Sequence, residues 1–281
     1  MVTKKERIDV LLVERGLIET REKAKRSIMA GLVFSGTERV DRPGLKVDRE
    51  TPLEVKGNPL PYVSRGGLKL EKAITQFDLS LKDKIVLDIG ASTGGFTDCS
   101  LQNGAKAVYA LDVGYNQLAW KLRQDERVTV MERTNFRYVK PEDLNKGLPQ
   151  FATIDVSFIS LKLILPVLRT LLVQNSDVVA LVKPQFEAGR EQVGKKGIVR
   201  DKRVHEEVVT KITEFAVQQG FDVAGLSFSP IKGGEGNIEF LMHLHFTGEK
   251  EVGHVADNIS TKEVVDSAHE QLKVKQEGGQ E

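Results

Sequence analysis

One segment in the first half of the chain constrains the fold more than any other. It is an apolar run that begins at Val86 and passes directly into a turn carrying Gly90, Gly94 and Gly95. Glycines in such a turn let the backbone approach a ligand closely, and open α/β sheets bind ligands at the carboxyl ends of their strands. The segment therefore predicts a buried strand, a ligand-binding loop and the first turn of a helix.

Apolar runs alternate with helical patterns along most of the remaining chain. Strands are predicted at 85–89, 107–112, 128–131, 151–155, 177–182, 221–228 and 237–246. Helices are predicted near 68–78, 96–103, 115–124, 161–173 and 202–219. Such alternation is typical of a parallel sheet covered by helices. We therefore predict an α/β fold with a Rossmann-like, mostly parallel, seven-stranded sheet.

The two ends of the chain differ from this region. The first part reads as two short amphipathic helices followed by short strands, which predicts a small α+β unit. Residues 1–72 contain 16 basic and 11 acidic residues, whereas 249–281 contain 4 basic and 8 acidic ones. The basic front end favours a polyanionic partner. The predicted organisation is a small domain, a linker, the α/β domain and a polar tail, at 1–59, 60–67, 68–247 and 248–281.

Composition excludes several classes of protein. The one cysteine among 281 residues, Cys99, excludes a disulfide framework and a multi-thiolate metal site, and it indicates a reducing compartment. No apolar segment follows the first residues, so no signal peptide is predicted. The longest apolar stretch, 158–173, is interrupted by Lys162, Pro166 and Arg169. We predict a cytoplasmic protein with no membrane anchor and no metal site.

The acids around the glycine turn narrow the choice of ligand. Asp88 precedes the turn, and Asp112 ends the next predicted strand, 24 residues later. A carboxylate at that place can accept hydrogen bonds from the ribose hydroxyls of a nucleoside cofactor. The spacing G-x-x-x-G-G disfavours NAD and FAD, and no lysine follows as in a phosphate-binding loop. A tight turn without a ligand is the alternative.

Four charged residues are placed where substrate is expected. Asp155 and Lys183 end predicted strands, Glu239 lies in the last predicted strand, and Lys69 lies in the helix before the first one. A buried, ionised lysine is costly without partners, so pairing with the carboxylates is predicted. A lysine made less basic by burial and by a neighbouring lysine can remove the proton of a ribose hydroxyl. Singly, Lys69 is typical of a surface or ion-pair residue; the four together predict a proton-transfer site.

These residues carry a resemblance to known families. Asp88-Ile-Gly-Ala-Ser-Thr-Gly-Gly-Phe, with the four charged residues, resembles the Lys-Asp-Lys-Glu 2′-O-ribose methyltransferases of the FtsJ/RrmJ class. The runs Arg7-Ile-Asp-Val-Leu-Leu-Val-Glu-Arg-Gly-Leu and Thr20-Arg-Glu-Lys-Ala-Lys-Arg resemble an S4 RNA-binding domain. Together with Tyr62-Val-Ser-Arg-Gly-Gly-Leu-Lys-Leu and Ser157-Phe-Ile-Ser-Leu, the pattern is similar to the TlyA family, often labelled haemolysin A, over residues 5 to 247.

The resemblance implies an S-adenosylmethionine-dependent methyltransferase that modifies a cytidine ribose in ribosomal RNA, with ribosomal RNA or ribosomal subunits as partners. The implied catalytic residues are Lys69, Asp155, Lys183 and Glu239. The implied cofactor-binding residues are Asp88, Gly90, Ser92, Gly94, Gly95, Phe96, Asp112, Asn135 and Asp155.

Basic residues are the expected contacts to RNA. Cations on one helix face can contact phosphates without reading sequence. A second basic segment, 190–200, is glycine-rich and is either a loop that closes over substrate or an ordinary surface loop. The resemblance implies RNA contacts by Arg7, Arg21, Lys25, Arg26 and Arg65.

Three other functions compete with this interpretation. Methylation of cytosine C5 uses a cysteine, but Cys99 is expected to pack in the helix after the glycine turn; methylation of exocyclic amines favours a motif with two prolines, which the segment 155–158 lacks. An RNA-binding protein with an inactive methyltransferase fold is a second alternative, disfavoured by the intact acids and lysines. A membrane-active haemolysin is the third, disfavoured because no long apolar span or strongly amphipathic basic helix is present.

Overall fold

The structure is a computed structural model, and it describes residues 5–56, 60–248 and 251–277. Contacts within the chain divide it into two units, Met1–Val63 and Ser64–Glu281. The division falls inside the segment 60–67 that the sequence predicts as a linker. Among the described residues, no helix has the length and apolar character needed to cross a bilayer.

The first unit is a small α+β domain, as the sequence predicts. Its elements in chain order are β1 (Lys5–Arg7), α1 (Ile8–Glu14), α2 (Arg21–Met29), β2 (Val33–Ser35), β3 (Glu38–Arg39), β4 (Lys46–Asp48) and β5 (Glu54–Val55). Thr20 caps α2, because its hydroxyl accepts a hydrogen bond from the Lys23 amide at 3.2 Å. The helices and strands enclose a core that includes Ile8, Leu12, Ala24, Ile28 and Val33.

The second unit contains the seven-stranded sheet. Its strands are β6 (Ile85–Ile89), β7 (Ala107–Leu111), β8 (Val128–Met131), β9 (Phe151–Ile154), β10 (Ser176–Val182), β11 (Asp222–Phe228) and β12 (Phe240–Phe246). The spatial order is β11-β12-β10-β9-β6-β7-β8. Strands β6 to β10 are parallel, and β12 runs antiparallel to both β10 and β11. This confirms the predicted Rossmann-like, mostly parallel sheet.

Helices cover both faces of this sheet. They are α3 (Gly66–Gln76), α4 (Gly95–Gln102), α5 (Trp120–Arg123), α6 (Leu165–Leu171), α7 (Pro184–Glu187), α8 (Lys202–Gln218) and α9 (Thr261–Glu277). Alternate side chains of β6, such as Leu87 and Ile89, pack with α6, α8 and α9 in the large core. The intervening Asp88 points to the other face, where it contacts Thr97 of α4.

Two predicted helices are shorter than the sequence indicates. Only one turn, α5, forms within 115–124, because the backbone amides of Asn116 and Gln117 donate to the Glu132 carboxylate at 2.8 and 3.1 Å instead of continuing a helix. The stretch 161–173 divides into a 3-10 turn and α6. Pro166 lies in the first turn of α6, where its missing N–H costs nothing, so the proline marks a helix start.

The last part of the chain is more ordered than a polar tail. Helix α9 packs against α8 and β11, and it buries Val265, Ala268 and Leu272 in the large core. Before it, Val255 forms a bridge with Val223 at the edge of β11. A few apolar residues at helical spacing in a polar stretch are therefore enough to attach this helix to the domain.

Candidate active site

The glycine turn after β6 depends on two residues with positive φ. Gly90 has φ +87°, and a Cβ there would lie 2.6 Å from the Asp155 carbonyl oxygen. Gly94 has φ +97° and precedes α4, and a Cβ there would collide with Leu118 and Leu122. Glycine is required at both positions because a side chain would be strained and would also clash.

Asp88 supports this turn from beneath. It is fully buried, and its carboxylate accepts hydrogen bonds from the hydroxyls of Thr97 at 2.6 Å and Thr153 at 2.9 Å. Burial raises its pKa to about 6 against the effect of these two donors. In the described structure, the Asp88 carboxylate therefore holds the turn through Thr97 and Thr153, and its contact with cofactor stays a prediction.

The first cavity, here called the strand-end cavity, measures about 420 Å³ and lies at the carboxyl ends of β6 and β7. The Asp112 carboxylate accepts hydrogen bonds from the amides of Ser92 at 2.8 Å and Gly114 at 2.7 Å. The wall is largely apolar and includes Phe136, Ile159 and Ile164. Of the residues predicted to bind cofactor, five line this cavity: Gly90, Ser92, Asp112, Asn135 and Asp155.

The second cavity, here called the tetrad cavity, measures about 620 Å³ and is lined by the four predicted catalytic residues. Gly95 and Phe96 line this cavity rather than the strand-end cavity, and Gly94 lines neither. The two cavities share wall residues, among them Gly90 and Asp155. The two cavities therefore adjoin beside Asp155.

The fold explains why four residues far apart in sequence meet here. Asp155 directly follows β9 and Lys183 directly follows β10, so both lie at the carboxyl edge of neighbouring parallel strands. Glu239 reaches the same edge because β12 is antiparallel to β10 and begins opposite its end. The predicted strand start at 237 is three residues too early, so Glu239 precedes the strand. Lys69 comes from α3.

The four side chains form one continuous ion-paired cluster, here called the tetrad. The Lys69 Nζ lies 3.2 Å from Asp155 Oδ2 and 2.7 Å from Glu239 Oε2. The Lys183 Nζ lies 2.6 Å from Asp155 Oδ1 and donates to the Ser157 hydroxyl at 3.2 Å. All four residues are buried or nearly so. The carboxylates thus compensate the burial of the lysines, as the sequence predicts.

The electrostatics of the tetrad correct one expectation. Burial by itself would lower the pKa of Lys69, but the charges of Asp155 and Glu239 outweigh burial and raise that pKa above its ordinary value. Burial likewise opposes ionisation of Asp155, yet the two lysines hold its pKa below the ordinary range. Lys69 is therefore more firmly protonated than a free lysine, and it is not the less basic lysine that the sequence suggests.

The rim of the tetrad cavity contains residues outside the predicted set of site residues, although Lys196 belongs to the basic segment 190–200 that the sequence offers as a loop over substrate. Lys196 and Lys232 line it together with the predicted RNA contact Arg65. Phe158 lines both cavities, has φ +64° and is 91% exposed, with its ring centroid 4.9 Å from that of Phe186. The sequence does contain a signal for Lys232, because a lysine followed by two glycines between the last two strands is typical of a binding loop.

The other predicted RNA contacts lie in the first unit. Arg7 and Arg21 both pair with the buried Asp9 carboxylate, at 2.9 and 3.1 Å. Their side chains are 39% and 53% exposed, so each is anchored at one end and open to solvent. Lys25 and Arg26 lie half-buried along α2. The four cations therefore belong to α2 and to the junction of β1 with α1.

Comparison with known proteins assigns the class of each unit. Residues 62–246 match the family described as FtsJ-like methyltransferase, and residues 6–52 match the S4 domain. The protein is thus a methyltransferase that carries an S4 domain. Together with the relatives below, these matches place the chain in the TlyA family of FtsJ-like methyltransferases.

Two relatives and one solved structure illustrate this membership. A Bacillus subtilis (strain 168) protein, provisionally named as the rRNA methyltransferase YqxC, is 69% identical over 98% of both chains. The 16S/23S rRNA (cytidine-2′-O)-methyltransferase TlyA of Mycobacterium tuberculosis is 41% identical over 86% of this chain and 91% of its own. A structure from Streptococcus thermophilus, provisionally described as a hemolysin, is 60% identical with a TM-score of 0.78, covering 98% of this chain and all of its own.

Proposed function

We propose that the protein transfers a methyl group from S-adenosylmethionine to the 2′-hydroxyl of a cytidine ribose in ribosomal RNA, using the tetrad. The observation that carries the proposal is the meeting of Lys69, Asp155, Lys183 and Glu239 in one ion-paired cluster where two cavities join. A reaction between two bound ligands needs such a junction, because the reacting atoms must approach to about 3 Å.

The choice of RNA rests on the relatives and on charge. The mycobacterial relative is named for cytidine 2′-O-methylation of ribosomal RNA, and the first unit matches an S4 domain. Arg65, Lys196 and Lys232 surround the tetrad cavity with positive charge, which suits a phosphate backbone. Ribosomal RNA or a ribosomal subunit is the proposed partner.

The strand-end cavity fits a nucleoside such as the adenosine of S-adenosylmethionine. Asp112 offers a carboxylate for ribose hydroxyls. Asn135 uses its Oδ1 to accept from the Arg137 amide at 3.2 Å, so its amide nitrogen is the group available to a base. Apolar side chains complete the wall, and a Cβ at Gly90 would clash with the backbone carbonyl of Asp155. When bound, the cofactor supplies a methyl group on a positively charged sulfur.

The tetrad divides the work of proton transfer between two lysines. Lys69, whose pKa is raised by two carboxylates, stays charged and fixes Asp155 and Glu239. Lys183 faces the tetrad cavity with Asp155 on one side and the Ser157 hydroxyl on the other. We assign Lys183 as the base that receives the 2′-hydroxyl proton. Asp155 then stabilises the ammonium that results.

The test is single-turnover methylation of unmodified ribosomal RNA or subunits with labelled cofactor. Label should appear as an alkali-resistant 2′-O-methyl linkage on a cytidine, and Lys183→Ala should lower the rate at least roughly 100-fold with cofactor affinity retained. Lys84→Ala is the matched control, since Lys84 pairs with Asp177 at 3.1 Å at the opposite edge of the same sheet. Label on a base, or an unchanged rate for Lys183→Ala, would contradict the proposed chemistry.

A further inference from the structure

A short hairpin carries one of the cations of the tetrad cavity. Gly194 and Ile198 form an antiparallel bridge, with the Gly194 amide donating to the Ile198 carbonyl at 3.0 Å. Lys196 lies at the tip with φ +65°, followed by Gly197 with φ +70°. We call residues 194–198 the cavity hairpin. Its backbone conformation is unfavourable for lysine, so contacts elsewhere must hold the hairpin in place.

Those contacts converge on Val199, the residue that follows the hairpin. The Val199 amide donates to Asn237 Oδ1 at 3.1 Å, and the Asn237 Nδ2 donates to the Gly197 carbonyl at 2.9 Å. The Val199 carbonyl oxygen lies 3.1 Å from His205 Nε2 in α8. Both polar groups of a buried residue are thereby satisfied by side chains, which fixes the base of the cavity hairpin from two sides.

The C-terminal helix completes the arrangement. His205 is fully buried, and its Nδ1 lies 2.9 Å from His269 Nε2 in α9. A neutral imidazole has one donor and one acceptor, so Nε2–H of His205 donates to Val199 and its Nδ1 accepts from His269. Burial, followed by the charge of His269, lowers the pKa of His205 to about 4, which keeps this neutral form. Lys202 of α8 also pairs with Asp266 of α9.

We propose that His205, Asn237 and His269 are positioning residues that hold the cavity hairpin so that Lys196 can contact an RNA phosphate at the tetrad cavity. Helix α9 contributes to RNA binding in this way without touching the RNA. The inference rests on the proposed function only in taking RNA as the substrate. A merely structural histidine pair would stabilise the domain without changing the affinity for RNA through Lys196.

The first test follows the hairpin itself by hydrogen–deuterium exchange. His205→Leu removes the donor to Val199, and His269→Leu removes the donor to His205; both should speed exchange in residues 194–199 roughly tenfold. His205→Gln keeps an amide donor near the Nε2 position and should restore protection. His245→Leu is the control, because His245 contacts Asp177 at the far edge of the sheet. Unchanged exchange in His269→Leu would overturn the link to α9. This outcome can be read even if His205→Leu fails to fold.

The second test measures the consequence for RNA. His205→Leu and His269→Leu should raise the dissociation constant for RNA, measured by binding without turnover, roughly tenfold, about the effect of one lost charge-assisted contact, with kcat and cofactor affinity nearly unchanged. Lys196→Ala should give the same increase, and combining it with His269→Leu should add little. Fully additive losses, or a loss of kcat instead of RNA affinity, would refute positioning through Lys196. Failure of the wild type to methylate ribose would refute the proposed function alone, because exchange and RNA affinity are measured without turnover.

Discussion

Replacing Asp155 by asparagine tests the electrostatic account of the tetrad most directly. The Asp155 carboxylate contacts both ammonium groups, at 3.2 and 2.6 Å, and its side chain is 18% exposed. The neutral amide would leave two buried lysines facing a single carboxylate, that of Glu239. Removing one partner of a buried ion pair costs about 3–5 kcal/mol of folding free energy. The loss cannot exceed the cost of releasing a proton from one lysine, because a neutral lysine no longer needs the lost carboxylate. For a unit of this size the melting temperature should fall by roughly 10 °C.

The matched variant is Asp177→Asn at the opposite edge of the sheet. Asp177 is also 18% exposed and contacts Lys84, His243 and His245, each at 3.1 Å. Denaturant unfolding should therefore show a comparable loss for both variants, whereas single-turnover methylation should be lost only in Asp155→Asn. If Asp155→Asn unfolds with a free energy within about 1 kcal/mol of the wild type, the lysines are not held charged by Asp155 and the reasoning fails.

Three further predictions use other parts of the site. Phe158→Ala should raise the KM for RNA, because an exposed ring at the junction of both cavities can stack on a displaced base. Such stacking contributes about 1–3 kcal/mol. An unchanged KM would exclude stacking. Gly90→Ala should abolish cofactor binding in calorimetry, whereas Gly104→Ala, with a similar φ of +85° and its nearest neighbour at 3.4 Å, should retain it. The pKa of His205 is lower in the folded chain than in the unfolded chain, so on acidification the unfolded chain takes up this proton first. The free energy of unfolding should therefore fall by at most about 3 kcal/mol as the pH drops from 6.5 towards 4. His205→Gln should lack that part of the pH dependence.

The sheet was predictable because its strands are short apolar runs separated by turn residues. The predicted bounds of β6 and β8 match the structure to the residue, since each run is bordered by charged or glycine residues. The helix predicted at 115–124 is shortened to α5 for a non-local reason: the Glu132 carboxylate, distant in sequence, accepts hydrogen bonds from the amides that a longer helix would use. The sequence predicts a polar tail where α9 lies, because the few apolar residues of this helix are buried only by packing against α8 and β11.

The members of the tetrad were accessible to sequence analysis, but their electrostatics were not. A charged residue directly after an apolar run, as at Asp155 and Lys183, indicates a site at a strand end. The direction of the pKa shift of Lys69 depends on a balance between burial and two carboxylates, and that balance requires distances. Asp88 shows the same limit. Its position before the glycine turn can be read from the sequence, but only the structure shows that the hydroxyls of Thr97 and Thr153 donate to its carboxylate.

The same balance explains why the site needs two lysines rather than one. A base must lose its proton near neutral pH, but a carboxylate buried without a cation would take up a proton itself. Lys69, with two carboxylate neighbours, supplies the permanent positive charge that keeps Asp155 ionised. Lys183 contacts one carboxylate in the described structure and borders the tetrad cavity, so its amine, and not that of Lys69, is the one we propose as the base. Glu239→Gln, which removes one of the two carboxylates beside Lys69, should therefore impair proton transfer. This loss is expected even though Glu239 makes no contact with Lys183 among the ion pairs of the described residues.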